Sequence, residues 1–400
     1  MDKPAIAGGE PIREKSKFIV FGAPLIGNRE IDEVVETLRS GWIGTGPRVQ
    51  RFEKEFKNFV GAKHAIATNS CTAALHLSLI TNGVKEGDEV IVTPMTFGAT
   101  VNVIEHVKAK PVFADIELDS FNINPEEIRR KISQKTKAII PVHLFGLPCK
   151  MDEINEIAKE NNLRVIEDAA HAVGSEYKGK KIGNSNNCTC FSFYPTKNIT
   201  TIEGGMITMS DDDMADKARV LRLHGLSLDA WERYSKYVEK AYGVVYPGFK
   251  YNMPDVSAAV GLHQLKKLGK FLEIRRRYAK IYEEELKDLN ELILPPKGGP
   301  DLKHSWHLYA VLIKPEFLKI NRDKMIKALL KENIGTGIHY RAVHLHPYYN
   351  AKYGYKNGDY PNAEFVSERT FSLPLTPKMS EKDVYDVARG VKRIITYFRK

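Results

Sequence analysis

Cys190-Phe191-Ser192-Phe193-Tyr194-Pro195-Thr196-Lys197-Asn198 is the stretch whose reading decides the fold. An aromatic, apolar strand runs into a proline and then a single lysine. The next residues, Ile199-Thr200-Thr201-Ile202-Glu203-Gly204-Gly205, do not favour helix. Lys197 is therefore expected on a turn just past a buried strand. An amine held there loses water, and desolvation lowers a lysine pKa and makes the nitrogen nucleophilic. On local sequence alone a structural turn lysine is the commoner case, because most lysines are solvated.

Strands alternate with helices on the N-terminal side of this stretch. The patterning predicts strands at His64–Thr68, Glu89–Thr93, Pro111–Ala114, Ala138–Leu144 and Leu163–Glu167. Thr189–Phe193 and Met206–Met209 complete a set of seven. Helices are expected between them at Ala73–Ile80, Phe97–Val107 and Asp152–Glu160, with a capped start at Asn124-Pro125-Glu126-Glu127. This alternation implies βαβ units, a mostly parallel sheet and right-handed crossovers. Two amphipathic helices come first. One carries Ile31, Val34, Val35 and Leu38, and the other carries Val49, Phe52, Phe56 and Phe59. The glycine-rich loop from Gly41 to Pro47, with Trp42 and Thr45, joins them.

Beyond Met209 a helix is expected from Asp211 to His224. Residues 225–250 are Tyr- and Gly-rich without a period and read as a mobile or partner-contacting loop. Helices are expected next at Pro254–Leu268 and Glu273–Leu289. The remainder reads as a smaller α+β unit, with strands at Trp306–Ile313 and near Gly337–Tyr340, a helix at Asp323–Lys331 and a last helix from Glu381. The expected division is 1–268 for the large α/β domain and 269–400 for the small one.

The composition is that of a soluble globular chain, with 42% hydrophobic and 28% charged residues. No run of about 18 apolar residues exists, so no membrane span is expected, and the first residues lack the apolar core of a signal peptide. Cys71, Cys149, Cys188 and Cys190 form no CxxC pair, and a reduced, cytoplasmic protein is expected. The net charge of +10 comes from Lys and Arg interspersed with acids and not from a basic block. It points to a solvated surface or an anionic small-molecule substrate before nucleic acid.

Ligands of open parallel sheets sit beyond the carboxyl ends of the strands. That edge selects Asn69-Ser70-Cys71-Thr72, where small hydroxyls and free N–H groups open a helix and make an anion site or an ordinary N-cap. It selects Phe97, a ring at the same edge or a core residue, and Asp168, a carboxylate at a strand end that needs a partner. Ser192 could reach a phosphate from the strand that leads to Tyr194 and Lys197. A phosphate cradle, a flat ring, a carboxylate and a lysine are together what pyridoxal phosphate requires. His304 with His307 and His344 with His346 lack a third ligand at metal spacing, so no metal site is expected.

The chain resembles the sugar aminotransferases of the DegT/DnrJ/EryC1/StrS family, which are similar in fold to aspartate aminotransferase. The resemblance covers nearly the whole chain. It is carried by Gly41–Pro47, Asn69–Leu75, Val165–Gly174, Phe191–Asn198 with Glu203-Gly204-Gly205, His224-Gly225 and Tyr251-Asn252-Met253-Pro254-Asp255. The segments Ala138–Leu144, His304–Tyr309, Ile334–Arg341 and Ser372-Leu373-Pro374-Leu375 resemble the family's UDP-4-amino-4-deoxy-L-arabinose–oxoglutarate aminotransferases. The resemblance implies an aspartate aminotransferase-like large domain with a seven-stranded, mostly parallel sheet and a smaller α+β domain. It implies Lys197 as the Schiff-base lysine, Asp168 as the partner of the pyridine nitrogen, His171 near the ring and Phe97 stacked on it. Ser70, Cys71, Thr72 and Ser192 would surround the phosphate, and Asn252 would reach the cofactor of a neighbouring subunit in a homodimer. Trp42, Thr45, Tyr194, His339 and Tyr340 would border the substrate pocket. Some relatives carry Tyr or Trp in place of Phe97, and many carry His in place of Tyr194. The implied reaction moves the amino group of glutamate to a keto-sugar nucleotide, a UDP-4-keto pentose or hexose, for lipopolysaccharide or polysaccharide synthesis. Related dehydratases have a histidine in place of Lys197. A cysteine desulfurase would need a cysteine in 225–250, a fold-keeping regulator would have lost Lys197 or Asp168, and a Rossmann enzyme would show G-x-G-x-x-G after the first strand.

Overall fold

The computed structural model describes residues 3–227 and 243–400. Most of the stretch expected to be a mobile or partner-contacting loop therefore lies outside the described residues. The seven strands are β1 His64–Thr68, β2 Glu89–Val92, β3 Lys110–Phe113, β4 Thr136–Ile140, β5 Arg164–Asp168, β6 Cys188–Ser192 and β7 Gly205–Met209. They form one sheet in the order β1-β7-β6-β5-β4-β2-β3. β2 pairs in parallel with β3 and β4, β4 with β5, and β5 with β6, whereas β7 runs antiparallel to both β1 and β6. β6 and β7 are buried at every residue, as expected for central strands covered on both faces by helices.

The first four α-helices of the chain are α1 Asn28–Arg39, α2 Pro47–Val60, α3 Cys71–Thr81 and α4 Gly98–His106. α3 is buried along its length from Ala73 to Leu79. α2 buries Val49, Phe52 and Phe56, and the two phenylalanines meet Phe193 edge-on at 5.4 Å. The first N–H groups of α2 are capped from far away in sequence. The buried Asp255 carboxylate accepts from Gly46 and Val49 at 2.9 Å and from Arg48 at 3.1 Å.

Three expectations are corrected. The two helices expected at Pro254–Leu268 and Glu273–Leu289 are one helix of 32 residues, Asp255–Leu286. Gly269 costs about 1 kcal/mol in a helix interior, and burial of Leu268, Phe271 and Arg275 on either side outweighs it. The strand expected near Gly337–Tyr340 is a single bridge between Gly337 and Ser372, after which the chain leaves the sheet. α1 forms where expected, but its apolar stripe faces outward. Ile31 is 52% and Leu38 55% exposed, whereas Glu30 and Thr37 are buried. Glu30 accepts from Gln264 at 2.8 Å and pairs with Lys267 at 2.6 Å.

The C-terminal part builds a three-stranded antiparallel sheet, with Tyr309–Ile313 between Leu292–Ile293 and Thr370–Leu373. The helices Arg322–Lys331 and Glu381–Phe398 contribute to its core. The long helix serves both parts of the chain. Ala258, Leu262 and Leu265 join the core of α2 and β6, whereas Tyr278, Tyr282 and Leu286 join the C-terminal core. Among the described residues no helix is long and apolar enough to cross a membrane.

Arg275 marks the junction of the two cores. Its guanidinium is 2% exposed and donates to the carbonyls of Trp306 (3.2 Å), His307 (3.1 Å) and Leu375 (2.7 Å). Burial lowers its pKa to about 9. Arg275→Ala removes the donor from three carbonyls, those of His307 and Leu375 buried. It is expected to lower stability by roughly 2–4 kcal/mol, read as an earlier midpoint in urea unfolding.

Candidate active site

The carboxyl edge of the sheet opens into a cavity of about 410 Å³. Ser70, Cys71, Thr72, Phe97, Asp168, His171, Ser192, Tyr194, Lys197, His339 and Tyr340 all line it. Trp42, Thr45 and Asn252 do not line it and form a cluster of their own. Asn252 Nδ2 donates to Thr45 Oγ1 (2.6 Å), Thr45 Oγ1 donates to the Met253 carbonyl (2.7 Å), and Trp42 Nε1 donates to the Thr45 carbonyl (3.0 Å). Asn252 Oδ1 is buried without a hydrogen-bond partner among the described residues.

Lys197 sits on the turn after β6, where its N–H donates to the Tyr194 carbonyl at 2.9 Å. Asn198 anchors this turn by donating to the Ser305 carbonyl (3.2 Å) and the Val173 carbonyl (3.4 Å). Burial lowers the Lys197 pKa to about 8, against the opposing pull of Cys71 and Asp168. Asp168 ends β5 and is 4% exposed. Thr100 Oγ1 donates to Oδ2 at 2.8 Å, and the Ala170 N–H donates to Oδ1 at 3.0 Å. Burial still raises the Asp168 pKa, because those two hydrogen bonds and Lys197 do not offset the loss of water.

The N-terminus of α3 forms a second wall. Ser70 caps it by accepting from Ala73 N–H at 3.1 Å, which leaves the first-turn N–H groups of Cys71 and Thr72 open. Gly205 permits this closeness. A Cβ there would lie 2.5 Å from the Ser70 carbonyl carbon and oxygen and 2.7 Å from the Cys71 nitrogen. Burial pushes the Cys71 thiol well above its usual pKa, with Asp168 adding to the shift. Phe97 is 61% exposed at the mouth and lies 5.9 Å from the Tyr340 ring.

These residues fit pyridoxal phosphate. The open helix N-terminus beside Ser192 suits a phosphate, and the poorly compensated Asp168 carboxylate suits a protonated ring nitrogen. Phe97 offers a face, and Lys197 offers an amine that is easily deprotonated. Sequence reasoning missed Thr96, Thr100, His307 and Glu203, which also line the cavity. Thr96 and Thr100 hydrogen-bond at 2.8 Å, and their i, i+4 spacing beside Phe97 was the only signal available. His307 comes from the C-terminal part, lies 4.4 Å from the His171 ring at a tilt of 35° and meets Asn198 Oδ1 at 3.2 Å, and no local pattern reveals it.

Comparison with known proteins agrees with this geometry. The model of the DegT/DnrJ/EryC1/StrS aminotransferase family matches residues 24–392, and the chain belongs to that family. It is 49% identical over 385 residues to the spore coat polysaccharide biosynthesis protein SpsC of Bacillus subtilis, covering 96% of this chain and 99% of SpsC. Spr1654 from Streptococcus pneumoniae, in its PMP form, superposes with a TM-score of 0.89 at 33% identity, covering 95% of this chain and 99% of that one. DesI, solved in the presence of its TDP-sugar product, superposes with a TM-score of 0.86 at 29% identity, covering 97% and 95%. The family uses pyridoxal phosphate, and the protein is an aminotransferase of the sugar-modifying kind.

The lowered Lys197 pKa has a kinetic consequence. Only the unprotonated amine attacks an aldehyde. The rate at which cofactor-free protein turns yellow with added pyridoxal phosphate should rise with pH and level off near pH 8, against about 10.4 for a solvated lysine. Stopped-flow absorbance checks this.

Proposed function

We propose that this protein transfers the amino group of glutamate to the keto carbon of a sugar nucleotide, a UDP-4-keto pentose or hexose, as a cytoplasmic homodimer. The observation that carries the reading is the convergence of Lys197 and Asp168 with the α3 cradle on one cavity. Two relatives support its finer parts. SpsC is named for polysaccharide biosynthesis, and DesI was solved with a TDP-sugar product. When bound, pyridoxal phosphate supplies an electrophilic carbon to carry the amine and a ring that withdraws electrons.

The chain's own residues would do the rest. Lys197 Nζ would take a proton from the donor's α-carbon and deliver it to the cofactor carbon that carries the amine, and would run the same transfer in reverse on the acceptor. Its lowered pKa keeps enough of the amine unprotonated for that work. Asp168 holds positive charge at the ring nitrogen, and Phe97 covers the ring. Ser70, Cys71, Thr72 and Ser192 hold the phosphate, and His171 lies beside the ring. Tyr194, His339 and Tyr340 border the acceptor sugar, with Trp42 and Thr45 on the approach to it. The acceptor's diphosphate gives the surplus of Lys and Arg a use.

The dimer is supported by what is exposed. Leu25, Ile26, Ile31, Leu38 and Ile43 surround α1 and its flanks, each between 37% and 55% exposed. Exposed apolar side chains gathered on one stretch of chain in this way suit an interface. Asn252, with its unpaired oxygen, would face the partner's cofactor phosphate across that surface.

Four experiments test the reading. The purified protein should be yellow, and borohydride should fix the cofactor to Lys197. Lys197→Ala should lose amine transfer by about a thousandfold or more, and transfer at the wild-type rate would refute the role. The acceptor is read from glutamate-dependent amination of a panel of 4-keto and 3-keto sugar nucleotides, where rejection of every 4-keto sugar would overturn that part. The pair Ile31→Glu with Leu38→Glu should give a monomer by size exclusion, with weakened cofactor retention. A wild-type protein that is active as a monomer would remove the shared site.

A further inference from the structure

His307 reaches the cavity from the segment just before the strand Tyr309–Ile313, and bonds to the segments after β4 and β5 fix its place. The Ser305 N–H donates to the Gly146 carbonyl at 3.1 Å, and the His307 N–H donates to the Phe145 carbonyl at 3.0 Å. Ser305 Oγ donates to the His171 carbonyl at 2.9 Å. The Arg275 guanidinium donates to the carbonyls of Trp306 and His307 themselves. The imidazole of His307, 4% exposed, is thus carried on a backbone whose donors and acceptors are both engaged. Its neighbour across the junction is Asn198, equally buried and next in sequence to Lys197.

The hydrogen bond between these two side chains has a fixed direction. Asn198 Nδ2 donates to the Ser305 carbonyl at 3.2 Å and to the Val173 carbonyl at 3.4 Å. Two carbonyls require the NH2 group on their side, so the amide oxygen is turned toward His307. Asn198 Oδ1 lies 3.2 Å from His307 Nδ1. An amide oxygen accepts and does not donate, so Nδ1 carries the hydrogen. Burial, with His171 and Lys197 adding to it, keeps His307 neutral, and a neutral imidazole has a single N–H. Nε2 therefore bears a lone pair. The one ring proton of His307 belongs to the bond with Asn198 and not to the chemistry of the cavity.

We propose that His307 is a positioning residue: by donating Nδ1–H to Asn198 it locks the turn after β6 to the C-terminal part of the chain, and so fixes where the Lys197 amine stands. This role rests on Lys197 being the amine that takes the cofactor. The Asn198 side chain ties the turn to two places, the segment after β5 through Val173 and the C-terminal part through Ser305 and His307. Without the donor, Asn198 Oδ1 is a buried acceptor with no partner, and the side chain gains by turning toward water. The turn moves with it, and the neighbouring amine regains water. The titratable groups that share the cavity with that amine are Asp168, Cys71, His171, His339 and Tyr340, with Tyr194 and Glu203 at the rim. Burial holds His171 and His339 neutral, His339 at about 3, and keeps the Cys71 thiol and the Tyr340 phenol protonated. A rise in the Lys197 midpoint then reports water and not a change of charge on these neighbours.

The test is a pH titration of Lys197 in the cofactor-free protein. Acetic anhydride, small enough for a cavity of about 410 Å³, labels unprotonated amines, and mass spectrometry reads the peptide that holds Lys197. The wild-type midpoint should lie near 8. His307→Leu keeps bulk and removes the donor. Its midpoint should move up by about one pH unit or more, toward the ~10.4 of a solvated lysine. His307→Asn sets an amide N–H where Nδ1 stood and should bring the midpoint back toward the wild type. A His307→Leu curve that superimposes on the wild type overturns the proposal, and so does a His307→Asn curve displaced as far as that of His307→Leu. Where His307→Leu does not fold, Asn198→Ala removes the same bond from the other side and should give the same rise, and an unmoved midpoint there overturns the proposal. A second measurement uses the unaltered sequence. Nitrogen NMR of protein labelled in histidine should show His307, assigned by its loss in His307→Asn, as the neutral Nδ1–H tautomer, and the Nε2–H tautomer overturns the proposal. Borohydride that fixes the cofactor to another lysine in the wild type would remove the role of Lys197 and leave the midpoint shift in place, so the two failures are distinct.

Discussion

The site rests on a carboxylate and an amine that are both short of water and not paired with each other. Asp168 is buried at the end of β5 with its main chain fixed on both sides. Its N–H donates to the Pro141 carbonyl at 2.9 Å, and its carbonyl accepts from His143 at 3.1 Å. Burial raises its pKa, just as burial lowers that of Lys197. Such a pair disfavours its own charged forms, and a bound cation at Asp168 relieves the cost. The alternation of strands and helices, the buried α3 and the junction at Arg275 all serve to hold these two groups in place.

The neighbouring residue shows how differently one strand treats two adjacent acids. Glu167 points to the opposite face of the sheet. There it accepts from His143 Nε2 (3.0 Å), Ser185 Oγ (2.9 Å) and Asn187 Nδ2 (2.8 Å). Burial pushes its pKa up, and these partners outweigh that and hold it low. His143 is the donor because its Nδ1 already accepts the Cys149 N–H at 3.1 Å. Glu167 is a satisfied structural carboxylate, whereas Asp168 is left with unmet demand. Both are buried acids, so burial alone does not separate structure from function; the difference lies in the partners.

The seven strands were legible because each carries its own apolar run and turn residues, and sheet order obeys few rules once strands alternate with helices. Lys197, Asp168, Phe97 and Ser70 were legible because strand ends gather at one edge. Thr100 and His307 were not. Thr100 acts through a contact with Asp168 that spans 68 residues, and His307 enters from the segment just before the strand Tyr309–Ile313. The continuous helix Asp255–Leu286 replaces the two shorter helices expected, because packing against two cores carries it through Gly269. The strand expected at Gly337–Tyr340 pairs only through Gly337, because His339 and Tyr340 turn to the cavity and not to a sheet neighbour.

α1 inverts the usual rule for an amphipathic helix. Its period is helical, yet the polar residue Glu30 is 1% exposed and the apolar Ile31 is 52% exposed. The inward face is built for polarity. Burial raises the Glu30 pKa, and the hydrogen bonds from Lys267 and Gln264 outweigh that and hold it low. Glu33 receives Arg48 Nε at 3.0 Å and His263 Nε2 at 3.1 Å on the same side of the helix. With its charged groups satisfied inside, the stripe of Ile31 and Leu38 has no use within one chain. Each such side chain gains roughly 1.5–3 kcal/mol when fully buried. Further exposed apolar residues, Phe97, Tyr194, Ile202 and Ile338, lie on or next to the residues that line the cavity or on its rim segments. In the homodimer proposed above, a second copy of the chain would bury this stripe.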